Sequence, residues 1–336
     1  MVALRRLLVA VAVLGAALAV AACGEKKDNT SPLRTRRVNL ILDFFPNADH
    51  AGLYAAMADG TFARAGLDVH PIVPSDPSAP LKLLAAGKAD MAISYEPEVM
   101  LARDKGLDLV SIGALVQRPL TSIIALGTTG LKPADLEGHT IGTAGIPYQS
   151  AMLKTILTHA GADPGRVKEV NVGFNLVPAM LSKRVFATLG GFWNYEGIQL
   201  ERRHKAPAVI PVDRAGVPTY DELVIVARAG ELRRDGPRYR TFLRALAQGY
   251  GSLRRNPAAG VDALVKANRD LDRGLQLAAV KKTLPAFFPS DRARPFGYQD
   301  PAQWAAFGRW MAANKLIKQP PAGRALTNEF LPGQGL

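Results

Sequence analysis

Residues 190–197 concentrate side chains suited to binding a flat polar molecule. Trp193 and Tyr195 can supply aromatic surfaces on which a ring stacks. Asn194 carries a donor pair and an acceptor, and Glu196 can accept hydrogen bonds. In an extended chain these two pairs face opposite sides, but the flanking glycines allow a turn that brings them to one pocket. The segment therefore predicts a binding site, with Glu196 as the main determinant of specificity.

Two further groups of polar and aromatic residues follow the first and third predicted strands, 38–42 and 91–94. These apolar runs alternate with helical segments at about 50–64 and 96–105, an order typical of crossover units in a mostly parallel sheet. Ligands of such sheets bind beyond the carboxyl ends of the strands. The candidate binding residues at these ends are Asp43, Phe44, Asn47, His50, Tyr95 and Glu98.

Each of these candidates has a structural alternative that the sequence leaves open. Asp43 can cap the helix that follows it instead of accepting a hydrogen bond from a ligand amine. Phe44 can belong to the core, and His50 can be an ordinary residue at a helix start. Tyr95 and Glu98 follow a strand end and are open to the same two interpretations.

A second series of strands and helices begins near residue 121, and a late apolar strand at 223–226 can return to the first sheet. This order predicts an α/β protein of two lobes, with mostly parallel sheets flanked by helices and the second lobe inserted in the first. We expect lobe 1 to comprise residues 38–120 and 221–336, and lobe 2 residues 121–220. Apolar residues at helical spacing near the C-terminus predict core packing rather than a ligand cage. They are Tyr239, Leu243, Leu246, Tyr250, Trp304, Phe307, Trp310 and Met311.

The N-terminus has the pattern of an export signal. Arg5 and Arg6 precede an apolar and glycine run at 7–22, and small residues lead to Cys23. A charged start, a short apolar stretch and small residues at a cleavage site are typical of a secretory signal peptide. The apolar run is also short for a spanning helix, which needs about 20 such residues. We therefore expect residues 1–22 to be removed.

Cys23 indicates how the mature protein is held at the membrane. Residues 20–23 resemble the bacterial lipobox, in which the cysteine becomes the first mature residue and its sulfur carries a lipid. Stable anchoring needs two or more acyl chains, because one chain gives only reversible binding. Residues 23–37 are polar and charged, which predicts a lipidated linker. The expected location is extracytoplasmic, anchored to the cell membrane by a lipid on Cys23.

The composition argues against several kinds of site. Cys23 is the only cysteine, so a lipidated chain has no thiol left for a disulfide, a cysteine metal site or a nucleophile. The formal net charge is +13, but the basic residues are dispersed in short groups. Such dispersion favours a solvated surface over a nucleic-acid interface. We expect no metal, cofactor or nucleic-acid partner.

Three phrases, in this order, resemble a known family. They are LDFFPNADHAGLY at 42–54, AAGKADMAISY at 85–95 and GGFWNYEG at 190–197. Together they are similar to bacterial substrate-binding proteins related to thiamine-pyrimidine synthase, over about residues 38–200. The resemblance implies a two-lobed periplasmic-binding-protein-like fold of type II that closes on its ligand. It also implies a monomer that delivers an aminopyrimidine thiamine precursor, formylaminopyrimidine or hydroxymethylpyrimidine, to an ABC permease and its ATPase.

The same family contains an enzyme branch that makes the pyrimidine from pyridoxal phosphate. That branch is similar to this chain around residues 90–106, but it carries a Schiff-base lysine at the position of Ser94 and a reactive histidine at that of Glu98. A hydroxyl cannot form the imine, and a carboxylate has no ring nitrogen to offer. The branch also has a cysteine cluster tied to iron, for which the mature chain has no thiol. We therefore expect a binding protein and not an enzyme.

The identity of the ligand stays open. The same clamp can bind riboflavin, or a sulfonate- or nitrate-type solute, although the carboxylate of Glu196 repels small anions. Residues 142–145 precede a helix and can direct backbone amides at an anion. Relatives commonly carry an acidic residue where Phe186 stands, so the ligand here differs if that side chain reaches the pocket.

Overall fold

The computed structural model describes residues 35–127, 130–320 and 325–333. The predicted signal peptide and the lipidation site at Cys23 lie outside these residues. The first strand begins at Arg36, within the predicted linker, because it pairs with its neighbour from that residue onward. Among the described residues, no helix combines the length and the apolar character needed to cross a membrane.

The strands form two mixed sheets. In chain order they are β1 (Arg36–Ile41), β2 (Leu67–Ile72), β3 (Met91–Ser94), β4 (Leu109–Val116), β5 (Thr121–Leu126), β6 (Thr140–Thr143), β7 (Lys168–Asn171), β8 (Ala187–Phe192), β9 (Pro207–Pro211) and β10 (Leu223–Arg228). Over the described residues, the first sheet has the order β2-β1-β3-β10-β4 and the second the order β7-β6-β8-β5-β9.

Helices cover the two sheets. They are α1 (Ala51–Ala58), α2 (Thr61–Arg64), α3 (Pro80–Ala85), α4 (Glu96–Asp104), α5 (Pro147–His159), α6 (Leu176–Leu181), α7 (Glu196–Arg202), α8 (Ala229–Arg255), α9 (Pro257–Ala267), α10 (Arg273–Thr283) and α11 (Pro301–Ala313). Short 3-10 turns occur at Ala48–His50, Pro133–Leu136, Pro164–Arg166, Val212–Arg214 and Leu284–Ala286.

The predicted α/β class, with the second lobe inserted in the first, is confirmed, but the sheets are less parallel than expected. β1 is parallel to β2 and β3, whereas β10 is antiparallel to β3 and β4. In the second sheet β6 is parallel to β7 and β8, and β5 is antiparallel to β8 and β9. The insertion explains this. The chain crosses between the lobes through the strand ends that face the other lobe, so β5 and β10 each enter their sheet from that side and run antiparallel to their neighbours. We call the first sheet with its helices lobe 1 and the second lobe 2; the residue boundaries given above stay a prediction.

The C-terminal helices complete the core of lobe 1. The predicted stripe on α8 is fully buried, and Gly249 and Gly52 let α8 lie directly against α1. A Cβ atom on Gly249 would stand 2.2 Å from the backbone oxygen of Gly52. On α11, Trp304, Phe307 and Met311 are buried, with Trp310 stacked on Phe307 at 5.3 Å between ring centroids. The interpretation of these residues as core is confirmed.

Candidate functional site

A narrow cavity lies between the two lobes. Its walls come from the residues that follow β1 and β3 in lobe 1 and β6 and β8 in lobe 2, because the carboxyl ends of these four strands face the other lobe. The lining residues are Asp43, Phe44, Asn47, Tyr95, Ala144, Ile146, Tyr148, Gly190, Phe192, Tyr195 and Glu196. Its volume is about 20 Å³, which is room for a water molecule. A ring-shaped ligand therefore needs the lobes to part before it enters. Wider grooves elsewhere, one of about 610 Å³ beside Arg254 and Phe288, are lined by none of the predicted residues.

The lobe 1 wall is organised around the carboxylate of Asp43, which is almost completely buried. Its Oδ1 lies 2.9 Å from His50 Nε2, and its Oδ2 accepts a hydrogen bond from the Tyr95 hydroxyl at 2.9 Å. The backbone N–H of Asn47 donates to His50 Nδ1 at 3.2 Å. Because Nδ1 must then be an acceptor, the ring hydrogen is on Nε2 and is donated to Asp43. Two donors thus hold the carboxylate in a single orientation.

Asn47, and not Asp43, caps the helical segment that follows. The side-chain oxygen of Asn47 accepts from the backbone N–H of Asp49 at 2.8 Å. Tyr95 stays a donor because burial, followed by the charge of Asp43, raises the pKa of its phenol well above the ordinary value. Asp43, Asn47 and Tyr95 therefore line the cavity and also stabilise the local structure through these hydrogen bonds. The alternative that Asp43 caps the helix is wrong.

Glu196 contributes a second carboxylate from lobe 2. It begins α7, is 7% exposed, and its Oε2 accepts from the backbone N–H of Phe192 at 2.8 Å. Burial raises the pKa of Glu196 to about 7, and the charge of Asp43 acts in the same direction. With this pKa the neutral and charged forms of the carboxyl are close in free energy at neutral pH, so it can act as an acceptor or share a hydrogen with a basic ligand atom.

Aromatic rings from both lobes enclose this space. Phe44 meets Phe174 of lobe 2 edge-on at 4.6 Å between centroids, and Phe45 lies 6.1 Å from Tyr195. Tyr95 of lobe 1 and Tyr148 of lobe 2 are 5.9 Å apart. Edge-on contacts of this kind are favourable aromatic geometries.

Tyr148 is a lining residue that the sequence reasoning missed. It is 1% exposed, and among the described residues no group meets hydrogen-bond geometry with its hydroxyl. Thr121 faces it but gives its hydroxyl hydrogen to Glu222. Burial first, and then the charge of Glu222, raise the pKa of Tyr148 well above the ordinary value, so it remains a neutral donor. Tyr148 follows the carboxyl end of β6 together with Ala144 and Ile146, so the preference of ligands for strand ends predicts all three.

Trp193 and Asn194 lie outside the cavity lining, contrary to what the predicted turn required. The indole Nε1 of Trp193 donates to the backbone oxygen of Pro119 at 3.0 Å, and Arg118 lies 5.1 Å from the centroid of its ring. Asn194 is fully buried and bonds to lobe 1 side chains. The chain does turn after β8, but α7 begins at Glu196, so Phe192, Tyr195 and Glu196 face the cavity while the two residues between them do not.

His50 and Glu98 also lie outside the lining. His50 is fully buried and acts through its contact with Asp43. The carboxylate of Glu98 accepts from the Ser94 hydroxyl at 3.0 Å, and burial raises its pKa to about 7. Phe186 stacks on His139 at 3.9 Å between centroids and is not a lining residue, so the departure at this position does not alter the wall of the cavity.

The sequence is similar to one protein family and to several characterised proteins. A family model described as NMT1/THI5 like matches residues 47–260. The chain is 35% identical over 287 residues to the formylaminopyrimidine-binding protein of Halalkalibacterium halodurans, an alignment that covers 84% of this chain and 87% of the relative. It is 26% identical over 300 residues to the 4-amino-5-hydroxymethyl-2-methylpyrimidine phosphate synthase of Legionella pneumophila, covering 88% of this chain and 92% of the relative.

Among solved structures, the alkanesulfonate-binding protein SsuA of Xanthomonas axonopodis pv. citri bound to MOPS superimposes with a TM-score of 0.66 at 18% identity, covering 87% of this chain and 98% of that one. This similarity confirms the predicted periplasmic-binding-protein-like fold. The family model and the 35% identity over most of both chains show that this chain belongs to the NMT1/THI5-like family.

Proposed function

We propose that this protein is the solute-binding component of an ABC importer and that it binds an aminopyrimidine thiamine precursor, formylaminopyrimidine or hydroxymethylpyrimidine, between its lobes. The observation that carries the proposal is the cavity itself, which combines two carboxylates, Asp43 and Glu196, with the neutral donor Tyr148. The similarity to a formylaminopyrimidine-binding protein supports this ligand class.

The donor and acceptor pattern of the cavity matches the edge of an aminopyrimidine. The exocyclic amine of the ligand donates to a carboxylate, and a ring nitrogen shares a hydrogen with Glu196, whose pKa of about 7 suits this exchange. Tyr148 donates to an acceptor on the opposite edge, while Phe44 and Tyr195 contact the ring faces. A sulfonate or nitrate would meet two carboxylates and be repelled.

Ligand binding is coupled to motion of the lobes. The cavity of about 20 Å³ is smaller than any pyrimidine ring, so the ligand enters an open form. Contacts that need both lobes, such as Asp43 from lobe 1 and Glu196 from lobe 2, then favour the closed form and shift an existing equilibrium.

A role in binding alone, and not in catalysis, is part of the proposal. Ser94 stands where the enzyme branch has its Schiff-base lysine, and its hydroxyl is engaged with Glu98 in the interior. Because the chain is also 26% identical to a pyrimidine phosphate synthase, this point needs its own test. Incubation with pyridoxal phosphate and iron should give no pyrimidine product; release of a pyrimidine phosphate would support the enzyme.

We also propose that the protein acts outside the cytoplasm, tethered through a lipid on Cys23, and passes its ligand to a permease and ATPase as a monomer. The export pattern of the N-terminal sequence supports this location. Mass spectrometry of the purified protein should find a diacyl modification on Cys23 that is lost in Cys23→Ser. An unmodified N-terminus would remove the tether and leave the binding function intact.

The direct test is calorimetric titration of the purified full chain with formylaminopyrimidine, hydroxymethylpyrimidine, thiamine, riboflavin and taurine. We expect binding of the first or second compound, and at least tenfold weaker binding in Glu196→Gln. Glu98→Gln is the matched control, because Glu98 is equally buried but does not line the cavity. Heat with riboflavin or taurine alone would overturn the pyrimidine assignment.

A further inference from the structure

A buried cluster of three hydrogen-bonded side chains joins the lobes beside the cavity. Asn194 follows β8 in lobe 2, and its Nδ2 donates to Asp49 Oδ1 at 2.8 Å and to Thr283 Oγ1 at 2.7 Å, both in lobe 1. All three side chains are fully buried. The Thr283 hydroxyl donates its own hydrogen to the backbone oxygen of Ala279 at 2.8 Å, so it must accept from Asn194. This requirement fixes which end of the Asn194 amide is nitrogen.

Within the described ranges, two oxygens of this cluster have no hydrogen-bond partner. Asp49 Oδ2 and Asn194 Oδ1 are both buried and unpaired among the described residues. A buried oxygen without a hydrogen-bond partner is unfavourable, and a buried unpaired charge is more so. The two atoms belong to side chains already joined by one hydrogen bond, and a single hydrogen on Asp49 Oδ2 would satisfy both. A carboxylic acid and a carboxamide then form a pair with two hydrogen bonds.

We propose that Asp49 is protonated when the lobes are closed and that it donates this hydrogen to Asn194 Oδ1, so that the pair is a proton-dependent latch that positions the closed clamp. Neither residue lines the cavity, so both act by positioning the lobes and not by contact with ligand. The inference rests on the proposed function, because a latch of this kind serves a protein that opens and closes around a solute.

The surroundings of Asp49 favour the protonated form. Burial, and then the charge of Asp43, raise the pKa of Asp49 well above its ordinary value, and the hydrogen bond from Asn194 opposes this change. The lysines on the helix that carries Thr283, Lys281 and Lys282, are exposed to solvent. The titratable groups that face Asp49 from neighbouring elements are Asp43, Tyr195, Glu196, Glu222 and Tyr250. On its own turn the next residue, His50, bonds to Asp43.

The sign of the pH dependence follows from these contacts. In the closed form Asp49 holds a proton, and in the open form its carboxyl meets water and ionises. Closure therefore takes up a proton, so the closed form, and with it ligand affinity, weakens as pH rises. A single coupled proton changes the dissociation constant by up to about tenfold per pH unit.

Asp49→Asn is the decisive variant. The carboxamide that this substitution introduces would keep both hydrogen bonds with Asn194 and would stay neutral at every pH. Titration of the full chain with hydroxymethylpyrimidine between about pH 5.5 and 8.5 should show affinity falling with pH in the wild type, and a shallower dependence in Asp49→Asn. Glu196→Gln removes another buried carboxyl with a raised pKa, the one that lines the cavity, and it should leave the Asp49 contribution in place. Parallel curves for the wild type and Asp49→Asn would overturn the latch.

A readout without ligand separates this inference from the proposed function. In a Cys23→Ser background, dyes on Lys88→Cys in lobe 1 and Lys168→Cys in lobe 2, both exposed positions, report the distance between the lobes by energy transfer. The closed fraction should fall with pH in this background and depend less on pH once Asp49→Asn is added. If that holds while no pyrimidine binds, the latch stands and the proposed ligand fails. If pyrimidine binds but the closed fraction responds to pH equally in both proteins, only the latch fails.

Discussion

The carboxylate of Glu222 accepts hydrogen bonds from both the backbone amide and the side-chain hydroxyl of Thr121, at 2.7 and 2.8 Å. The backbone N–H of Leu120 adds a third bond at 2.6 Å. Thr121 begins β5 on the first connection between the lobes, and Glu222 directly precedes β10 on the second. One buried carboxylate therefore ties together the two chain segments that connect the first sheet to the second.

Glu222→Ala should destabilise the protein by roughly 3 kcal/mol, because it leaves two buried backbone N–H groups without acceptors. Glu222→Gln should recover most of that loss, since its amide oxygen can still accept from both. Urea denaturation followed by circular dichroism measures the free energy of unfolding of each. Equal denaturation midpoints for the two variants would show that an oxygen acceptor for the N–H groups of Leu120 and Thr121 does not stabilise the protein.

Gly249→Ala should destabilise the packing of α8 on α1. The new methyl carbon would stand 2.2 Å from the backbone oxygen of Gly52, and backbone cannot move aside as a side chain can. Overpacking of this kind costs about 1–3 kcal/mol. Gly251→Ala, on the same helix, is the control: its methyl would meet only Arg255 at 3.6 Å, and alanine favours helix. Thermal unfolding should show a lower midpoint for Gly249→Ala alone.

Glu98 should make stability fall as pH rises. Burial raises its pKa in the folded protein from the ordinary 4.5 to about 7. Its contribution is therefore complete below pH 4.5 and is lost as the pH rises through about 7. A pKa that differs by one between the folded and unfolded protein corresponds to about 1.4 kcal/mol of stability. The contribution of Glu98 to the free energy of unfolding that is lost over this pH range is therefore on the order of 3 kcal/mol.

The measurement is the free energy of unfolding of the wild type and of Glu98→Gln from about pH 4 to pH 8. Relative to the wild type, the variant should gain stability across this range. Glu201→Gln, which changes an exposed glutamate, should run parallel to the wild type. A constant difference between the wild type and Glu98→Gln would show that Glu98 titrates normally.

Tyr148→Phe should weaken binding of the pyrimidine by roughly two- to tenfold while leaving stability nearly unchanged. The hydroxyl lines the cavity and has no partner within the described part of the chain, so its removal breaks no protein contact. A hydrogen bond to ligand contributes about 0.5–1.5 kcal/mol. Tyr239→Phe is the matched control, because that hydroxyl is also buried and unpaired among the described residues but does not line the cavity. Equal dissociation constants for the two variants would remove Tyr148 from recognition.

Much of the fold followed from local patterns. Apolar runs and their spacing located the strands, and the strand-end rule selected Asp43, Tyr95 and their neighbours. The same rule applies to the end of β6 in lobe 2, where it predicts Tyr148. The direction of β10 was not predicted, because a strand has the same side-chain alternation whichever way it runs.

Residues 190–197 show what spacing along the chain cannot predict. Spacing allows two arrangements of the side chains of residues 193–196: an extended strand that places them alternately on two sides, or a turn that brings all four to one pocket. The observed turn does neither, since it directs Tyr195 and Glu196 into the cavity, Trp193 towards the chain at Pro119 and Asn194 across to Asp49. The partners of Trp193 and Asn194 lie 74 and 145 residues away in the chain, so no local sequence pattern could predict these hydrogen bonds.

The sequence by itself determined the alternating elements, the two-lobed class and the kinds of chemistry available, because these depend on periodicity, composition and motifs that are local. Only the tertiary structure decided which polar groups meet, since two lobes far apart in the chain supply the opposite walls of one cavity. It also decided which groups ionise, because the pKa values of Asp49, Glu98 and Glu196 are raised by burial, and burial is a property of the packed molecule.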